Sequence, residues 1–194
     1  MTLPNQLSIL RIALIPVFVL LLVHDTPIYA LLIFLIIGIS DKLDGYIARA
    51  WRQETTLGAA LDAIADKLLM VTTFVTLMIL EALPFPLTIL LISRDVTLSL
   101  VFGIVLFTTG RRLGASTSLG QASIFAQMCT VVLGLVFYVL GDQALLQTLQ
   151  SFIRPPVFTI TAILAVVSWV DYLYRVVRLF TPVEASMKRQ TPVR

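Results

Sequence analysis

Six long apolar runs, separated by short polar segments, form the main pattern of this chain. A membrane-spanning helix needs about 20 mostly apolar residues, and each run is close to that length. The connection over residues 141–156 is longer than the others, and we interpret it as a loop with a short amphipathic piece on the membrane. The pattern predicts an all-α polytopic membrane protein, a single domain over residues 1–180 with six transmembrane helices. These are expected over about residues 5–23, 28–49, 58–80, 87–108, 119–140 and 157–179.

The composition supports a membrane protein. Hydrophobic residues make up 58% of the 194 residues and charged residues 13%, whereas soluble domains average about 25% charged residues. The mean hydropathy is +0.97. The net charge of +3 comes from basic residues beside the apolar runs, where orientation and anionic lipid explain them better than nucleic acid does. We therefore expect a lipid bilayer as a partner, and no nucleic acid.

The basic residues also predict the orientation of the helices. With six crossings, both termini share one side of the membrane with the loops after the second and fourth helices. The loops on the opposite side contain a single arginine, Arg154, and no lysine. The positive-inside rule therefore places both termini in the cytoplasm. Residues 181–194 are predicted to be a flexible basic cytoplasmic tail. The basic residues on the cytoplasmic side would be Arg49, Arg52, Arg111, Arg112, Arg175, Arg178, Lys188, Arg189 and Arg194.

Four aspartates interrupt the apolar pattern near the loop between the second and third helices. Asp41 and Asp44 are three residues apart, and Asp62 and Asp66 are four apart, so each pair projects from one helical face. At about 1.5 Å per residue, the first pair lies roughly 7 to 12 Å before Arg49. Because a short loop joins the two helices, we expect them to be adjacent and antiparallel. All four carboxylates would then line one cytoplasm-facing polar cavity.

Four carboxylates this close would repel one another, and each costs about 2.5 kcal/mol or more at the membrane centre. Divalent cations that prefer oxygen ligands would neutralise them, and two Mg²⁺ or Mn²⁺ ions fit four carboxylates. Ions bound in this way keep positions open for a phosphate, and Arg49 is suited to bind that phosphate bidentately. The small residues Gly45, Ala48 and Gly58 would let a ligand or a neighbouring helix approach the backbone.

Two other functions would also place carboxylates in a membrane. A divalent-cation carrier could use the same aspartates, although many transporters carry paired repeats with midplane sites, and this chain shows no internal repeat. A structural lipid-binding protein would use single aspartates to pair helices, which four clustered carboxylates fit poorly. This second alternative predicts that Asp66→Asn leaves function intact.

The aspartate segment resembles the signature of the CDP-alcohol phosphatidyltransferases. The opening LPNQLSILRIALIPVFVLLL, with its Pro-Asn start and Arg11, is similar to the first helix of that family. Ala63 departs from the pattern, because many members have proline after the third aspartate; this change should relax the helix entry without removing a ligand. Eight signature positions are present with their spacing over 26 residues: Asp41, Asp44, Gly45, Ala48, Arg49, Gly58, Asp62 and Asp66.

The resemblance implies an enzyme of phospholipid synthesis, in which an alcohol hydroxyl displaces CMP from a CDP-linked lipid, usually CDP-diacylglycerol. It implies that Asp66 shares a metal and acts as the catalytic base. Two metals would neutralise the pyrophosphate as CMP leaves, and the base must lie within hydrogen-bond reach of the hydroxyl. A homodimer is implied by the family alone. The resemblance further implies metal binding by Asp41, Asp44 and Asp62, and CDP binding by Asp44, Gly45, Ala48, Arg49, Gly58 and Asp62.

The fourth helix bears on the identity of the acceptor alcohol. Its Ser-Arg-Asp-Val segment, residues 93–96, resembles the CMP-forming cardiolipin synthases of the eukaryotic type, whose acceptor is phosphatidylglycerol. Bacterial phosphatidylglycerophosphate synthases, which use glycerol 3-phosphate, more often have Arg-Glu here and a second arginine soon after. The resemblance therefore favours phosphatidylglycerol, with glycerol 3-phosphate as the alternative. Arg94, inside an apolar helix, would bind the acceptor or form a buried pair with Asp95.

The fifth helix departs from the family where an acceptor phosphate would find a partner. Gly120 and Gln127 match the family pattern, but Gln121 replaces a lysine and Ile124 replaces a threonine. Without that lysine, the candidate acceptor-binding residues are Arg94, Arg111 and Arg112. For Arg111 and Arg112, anchoring of the helix ends at the cytoplasmic surface is an equal alternative.

Three further residues have simpler expected roles. Cys129, the single cysteine, is expected to fill the core. His24 is expected to be solvated in an outer turn. Asp171 is expected to pair with Arg175 or Arg178 on the sixth helix.

Overall fold

A computed structural model confirms the six helices and shows no strand among the residues that it describes. Backbone is described for residues 3–24, 26–51, 56–109, 117–140 and 144–180. Side chains are described in these ranges except at 3–8, 39, 41–51, 56–61, 63, 106, 107, 109, 144–146, 179 and 180. The helices are α1 (Leu3–Val23), α2 (Pro27–Trp51), α3 (Thr56–Ile79), α4 (Phe85–Thr109), α5 (Ser118–Leu140) and α6 (Ala144–Phe180). The predicted tail, 181–194, lies outside the described residues, so its flexibility and the extent of the domain stay predictions.

The sixth helix corrects the sequence analysis. We predicted a loop before residue 157, but α6 is helical from Ala144 and continues through Pro155 and Pro156. Proline usually interrupts a helix because it lacks a backbone donor, although membrane helices tolerate it when they are supported by neighbours. The guanidinium of Arg154 lies over the Phe137 ring, 5.4 Å from its centroid, and so joins the first turns of α6 to α5. Arg154 therefore lies within a helix and not in a loop.

Several helices are long and apolar enough to cross a membrane. Among the described residues, three segments meet this criterion by length and composition: Phe85–Val105, Ser118–Leu140 and Gln147–Arg178. The described apolar segments of α1 and α2, Ile9–Val23 and Pro27–Gly38, are shorter. Every helix carries exposed large apolar side chains, as expected of surfaces that face lipid. The chain is an integral, polytopic membrane protein, and the side that faces the cytoplasm stays a prediction.

The contacts between helices form a closed ring in the order α1, α2, α5, α6, α4 and α3, and α3 also contacts α5 across the ring. Helix α1 packs against both α2 and α3. We expected α2 and α3 to be direct neighbours, but none of the extensive contacts between described residues joins them. In the described parts, α1 packs against each of them instead.

Helix α1 places a buried apolar stripe and one charged residue on the same face. Ile15, Phe18 and Leu22 are buried, and Arg11 precedes Ile15 by about one turn. The rings of Phe18 and Phe34 of α2 pack with centroids 5.9 Å apart and an interplanar angle of 37°, a favourable aromatic arrangement. The same apolar packing that holds α1 in the bundle therefore directs Arg11 into the interior.

Helix α3 ends in a Schellman motif, with Glu81 in the position where glycine is usual. The Ala82 amide donates to the Leu77 carbonyl at 2.8 Å, and the Glu81 amide donates to the Met78 carbonyl at 3.1 Å. Glu81 has a φ of 57°, a left-handed conformation that a side chain with a Cβ adopts at a cost.

Glu81→Gly is therefore expected to stabilise the protein by up to about 1 kcal/mol, because glycine relieves the strain at this φ. The measurement is the midpoint of thermal unfolding in detergent micelles. Glu81→Ala is the matched control, since it removes the same carboxylate but keeps the Cβ. An equal rise in both variants would contradict the backbone explanation.

Three smaller expectations are decided by the fold. Cys129 is exposed, so its predicted place in the core is wrong; the buried face of α5 includes Ser123, Gln127 and Thr130. His24 is exposed in the turn after α1, and its solvation on the outer side stays a prediction. The Arg175 Nε donates to Asp171 Oδ2 at 3.1 Å, which confirms that pairing.

Candidate active site

A cavity of about 850 Å³ lies between α1, α2, α3, α4 and α5. Apart from its charged residues, the cavity is lined mostly by apolar side chains of α2, α3 and α5. The amides Gln121 and Gln127 also line it. A volume of this size suits a small-molecule or lipid headgroup site. Its charged lining residues are Arg11, Asp66, Lys67, Arg94 and Asp95.

Arg11, which lines the cavity, holds two of the predicted aspartates together. Its Nη1 lies 2.9 Å from Asp62 Oδ1 and 2.7 Å from Asp66 Oδ1. The Arg11 side chain is only 4% exposed, whereas both carboxylates are 48% exposed. The two aspartates can share one donor because they are one helical turn apart on α3. A buried cation thus neutralises part of their charge and sets their positions relative to α1.

The structure describes only half of the predicted carboxylate cluster. It brings Asp62 and Asp66 together, while the side chains of Asp41 and Asp44 lie outside the described part of α2. Over the described side chains alone, no group of three or more His, Cys, Asp or Glu residues is gathered. Two adjacent, half-exposed carboxylates are hard oxygen donors of the kind that Mg²⁺ and Mn²⁺ prefer. Asp62 and Asp66 therefore fit a metal site in their chemistry, and the complete cluster stays a prediction.

The predicted CDP-binding residues beyond these aspartates lie in helical backbone. Gly45, Ala48 and Arg49 belong to α2 and Gly58 to α3, but their side-chain positions lie outside the described part. Their roles remain predictions.

Arg94, which also lines the cavity, forms the buried ion pair expected from its position in α4. Its Nη1 lies 2.6 Å from Asp95 Oδ1, and the two side chains are 3% and 7% exposed. Its Nη2 donates to the Ser168 hydroxyl of α6 at 3.0 Å. The third nitrogen, Nε, has no hydrogen-bond partner among the described residues. Arg94 thus lines the cavity and is held in place by α6. The other two predicted acceptor-binding residues, Arg111 and Arg112, lie outside the described residues.

Helix α5 adds polar groups that are buried against its neighbours. The Thr130 and Thr161 hydroxyls are hydrogen-bonded at 2.8 Å, which joins α5 to α6. The Ser123 Oγ and Gln127 Nε2 are buried and have no hydrogen-bond partner within the described structure. Of these residues, Gln127 lines the cavity.

The roles of Arg11 and Ser168 were not predicted from the sequence. Arg11 had a detectable signal, since it is the one charged residue of α1, and an ionisable residue in a membrane helix suggests a functional site. Ser168 had no such signal, because serine in an apolar helix is common and its partner is 74 residues away. Gln127 was noted only as a match to a pattern.

Known proteins with similar sequences include several enzymes of phospholipid synthesis. The CMP-forming cardiolipin synthase of Homo sapiens is 46% identical over 98 residues, which are 50% of this chain and 33% of that protein. The CMP-forming cardiolipin synthase of Streptomyces coelicolor is 39% identical over 111 residues, covering 54% and 52% of the two chains. The CDP-diacylglycerol–glycerol-3-phosphate 3-phosphatidyltransferase of Haemophilus influenzae is 42% identical over 102 residues, covering 50% and 55%.

The matched segments span about a third of the human protein and about half of each bacterial protein. A wider match comes from the sequence model of the CDP-alcohol phosphatidyltransferases, which covers residues 1–177. This range includes the aspartate segment, Arg11, Arg94 and all the described residues that line the cavity. The chain belongs to the CDP-alcohol phosphatidyltransferase family.

Proposed function

We propose that this protein transfers a phosphatidyl group from CDP-diacylglycerol to the hydroxyl of a glycerol-based alcohol, with release of CMP. The observation that carries the proposal is one cavity lined both by Asp66, from the aspartate segment, and by the Arg94–Asp95 pair. Joining two phosphate-bearing substrates requires a base and a cation within one enclosed space. The name of the Haemophilus relative describes a phosphatidyl transfer from CDP-diacylglycerol, and the human and Streptomyces relatives are named as CMP-forming cardiolipin synthases, which supports the same reaction.

We propose further that the site depends on metal, with two Mg²⁺ or Mn²⁺ ions held by Asp41, Asp44, Asp62 and Asp66. By helical spacing, positions 41 and 44 continue the line of Phe34 and Ile37 along α2, and both of these residues line the cavity. When bound, the ions would neutralise the pyrophosphate. The proposed CDP-binding residues are Asp44, Gly45, Ala48, Arg49, Gly58 and Asp62.

In the proposed step, the acceptor oxygen forms a bond to the phosphorus that carries diacylglycerol. The bond from this phosphorus to the bridging oxygen of CMP breaks, and CMP leaves with the electron pair. The hydroxyl proton passes to Asp66, whose position is set by the contact of its Oδ1 with Arg11 Nη1 at 2.7 Å. The apolar lining of the cavity limits access of water, which would otherwise hydrolyse the CDP-lipid.

The apolar part of the cavity lining favours a lipid acceptor. Apolar residues of α5, among them Ile124, Phe125 and Met128, would suit acyl chains. We therefore propose phosphatidylglycerol as the acceptor and cardiolipin as the product, with glycerol 3-phosphate as the alternative.

The orientation and assembly proposals rest on the sequence. The basic residues support a site that opens to the cytoplasm, with both termini on that side. The family resemblance supports a homodimer.

The direct test is CMP release by the purified protein from CDP-diacylglycerol with Mg²⁺ or Mn²⁺. Phosphatidylglycerol, glycerol 3-phosphate, inositol phosphate and serine are offered in parallel. We expect release with phosphatidylglycerol. No release with any acceptor, from folded protein supplied with metal, would contradict the proposal; metal flux into vesicles without CMP would support a cation carrier.

Arg94 is proposed to bind the acceptor phosphate, and Arg94→Lys tests this role. Lysine keeps a charge for Asp95 but lacks the planar fork of nitrogens. The KM for the acceptor is expected to rise about tenfold, as for a charge-assisted hydrogen bond lost, with little change in the KM for CDP-diacylglycerol. Arg175→Lys, in the more exposed pair with Asp171, is the control and should leave both constants unchanged. A rise in the KM for CDP-diacylglycerol alone would assign Arg94 to the donor lipid.

A further inference from the structure

Lys67 lines the cavity from the middle of a membrane helix. Helix α3 runs from Thr56 to Ile79, so Lys67 lies about 16 to 18 Å from either end at 1.5 Å per residue. A lysine near the end of a membrane helix can extend its ammonium group to the water interface. Lys67 is not near either end, and an ionisable residue in such a position indicates a functional site.

Lys67 differs from the two arginines that line the same cavity. Both arginines are buried, and both are paired: Arg11 with the two aspartates of α3, and Arg94 with Asp95. Lys67 is exposed, and no hydrogen bond or ion pair connects it to another described residue. Within the described lining, its ammonium is therefore the positive charge that remains for a ligand.

The cavity runs along the side of α3 that carries Lys67 and Asp66 together. Asp66, Lys67 and Met70 all line it, and Met70 lies about one helical turn after each of the other two. Consecutive residues of a helix point about 100° apart. The carboxylate and the ammonium thus leave α3 at neighbouring points and can contact different parts of one ligand.

A glycerol phosphate matches this arrangement. Phosphatidylglycerol and glycerol 3-phosphate both carry the reacting hydroxyl at one end of a glycerol unit and a phosphate at the other. In the proposed function, metal ions neutralise the phosphates of the CDP-lipid. Among the described residues, Arg94 is the cation proposed for the acceptor phosphate, and Asp95 offsets its charge at 2.6 Å. An anionic acceptor therefore needs a further cation, which Lys67 supplies.

We propose that Lys67 binds the phosphate of the acceptor through its ammonium group, while Asp66 takes the proton from the hydroxyl at the other end of the same glycerol unit. This inference rests on the proposed function and adds an acceptor-binding residue on α3. Because both candidate acceptors carry the phosphate, each is tested separately.

The test compares Lys67→Met and Lys67→Arg with the wild type. Methionine keeps much of the length of the side chain without its charge, and arginine keeps the charge. Arg175→Met is the control, since Arg175 is also an exposed cation on a membrane helix, at 59% exposure, and does not line the described cavity. Equilibrium binding of radiolabelled phosphatidylglycerol and of radiolabelled glycerol 3-phosphate is measured without CDP-diacylglycerol, and CDP-diacylglycerol binding is measured with Mg²⁺ alone. The KM values, the kcat and the thermal unfolding midpoint in micelles complete the set.

Lys67→Met is expected to weaken binding of the acceptor by about tenfold, the lower end of the effect of losing a hydrogen bond to a charged group. The KM for that acceptor should rise with little change in kcat, because the phosphate is held equally before and during the reaction. Lys67→Arg should restore most of the binding. CDP-diacylglycerol binding and the unfolding midpoint should stay at wild-type values, as should every quantity in Arg175→Met.

Loss of binding for either acceptor in Lys67→Met supports the inference and shows which acceptor the site takes. Wild-type binding of both acceptors would overturn it, and so would a loss confined to CDP-diacylglycerol, which would place Lys67 on the donor. A lower unfolding midpoint with unchanged binding would assign Lys67 to the fold alone and overturn the inference as well. If acceptor binding depends on Lys67 but no CMP is released, the proposed function fails and the phosphate site stands. If CMP forms and acceptor binding is independent of Lys67, the reverse holds.

Discussion

Asp66→Asn is expected to lower CMP release from CDP-diacylglycerol by about a hundred- to ten-thousandfold, the usual contribution of a general base. Asparagine preserves the shape of the side chain, but its amide cannot take the proton of the acceptor hydroxyl. It is also a weaker metal ligand than a carboxylate. Arg11 would keep its contact with Asp62 at 2.9 Å, so the helices should remain in place and the loss should be mainly chemical.

The measurement is the rate of CMP formation with phosphatidylglycerol and metal, alongside binding of CDP-diacylglycerol. The control is Asp171→Asn, which removes another carboxylate paired with an arginine, Arg175 on α6, and should retain activity. A monodisperse peak in size-exclusion chromatography shows that each variant is folded. Wild-type rates in Asp66→Asn would refute its role as base and favour the structural alternative, which predicts that outcome.

Arg11→Met is expected to lower both activity and stability. Removing one partner of a fully buried ion pair costs about 3 to 5 kcal/mol. Because Asp62 and Asp66 are each 48% exposed and water can solvate them, we expect a smaller loss of about 1 to 2 kcal/mol. Activity should fall about 10- to 100-fold, as when a residue that orients metal ligands is lost.

The readouts are the thermal unfolding midpoint in micelles and the rate of CMP release. Arg11→Lys is the matched variant, since it retains a cation near Asp62 and Asp66 and should lose less of both. Without Arg11, the carboxylates of Asp62 and Asp66 should repel each other, and a bound Mg²⁺ ion would relieve this repulsion. Mg²⁺ should therefore raise the unfolding midpoint of Arg11→Met more than that of the wild type. Wild-type stability and activity in Arg11→Met would show that the contacts of Arg11 with Asp62 and Asp66 are not needed for folding or catalysis.

The helices were predictable because their signal is local. Runs of apolar residues long enough to cross a bilayer predicted the first five helices to within a few residues of α1 to α5. The prediction was wrong at the start of α6, because residues 144–156 were interpreted as part of a loop and are helical. A contact with another helix, Arg154 on Phe137, supports the first turns of α6, and no pattern within residues 144–156 reveals it.

The candidate site was predictable in part for the same reason. The spacing of Asp62 and Asp66 placed both on one face of α3, and the structure brings them to one guanidinium. Their partner was not predictable, because Arg11 is 51 and 55 residues away and packs there through the apolar face of α1. We expected α2 to pack directly against α3. In the described parts, α1 packs against each of them instead.

By itself, the sequence determined that this protein is helical and embedded in a membrane, and that it carries an aspartate segment at helical spacing. These properties follow from composition and from the 3.6-residue period, which act over one or two turns. Only the tertiary structure decided that Arg11 binds Asp62 and Asp66, that Ser168 braces Arg94 from 74 residues away, and that Gln127 lines the same cavity. The physical reason is that the order of helices around the cavity depends on side-chain packing between distant segments, which a helical period cannot specify.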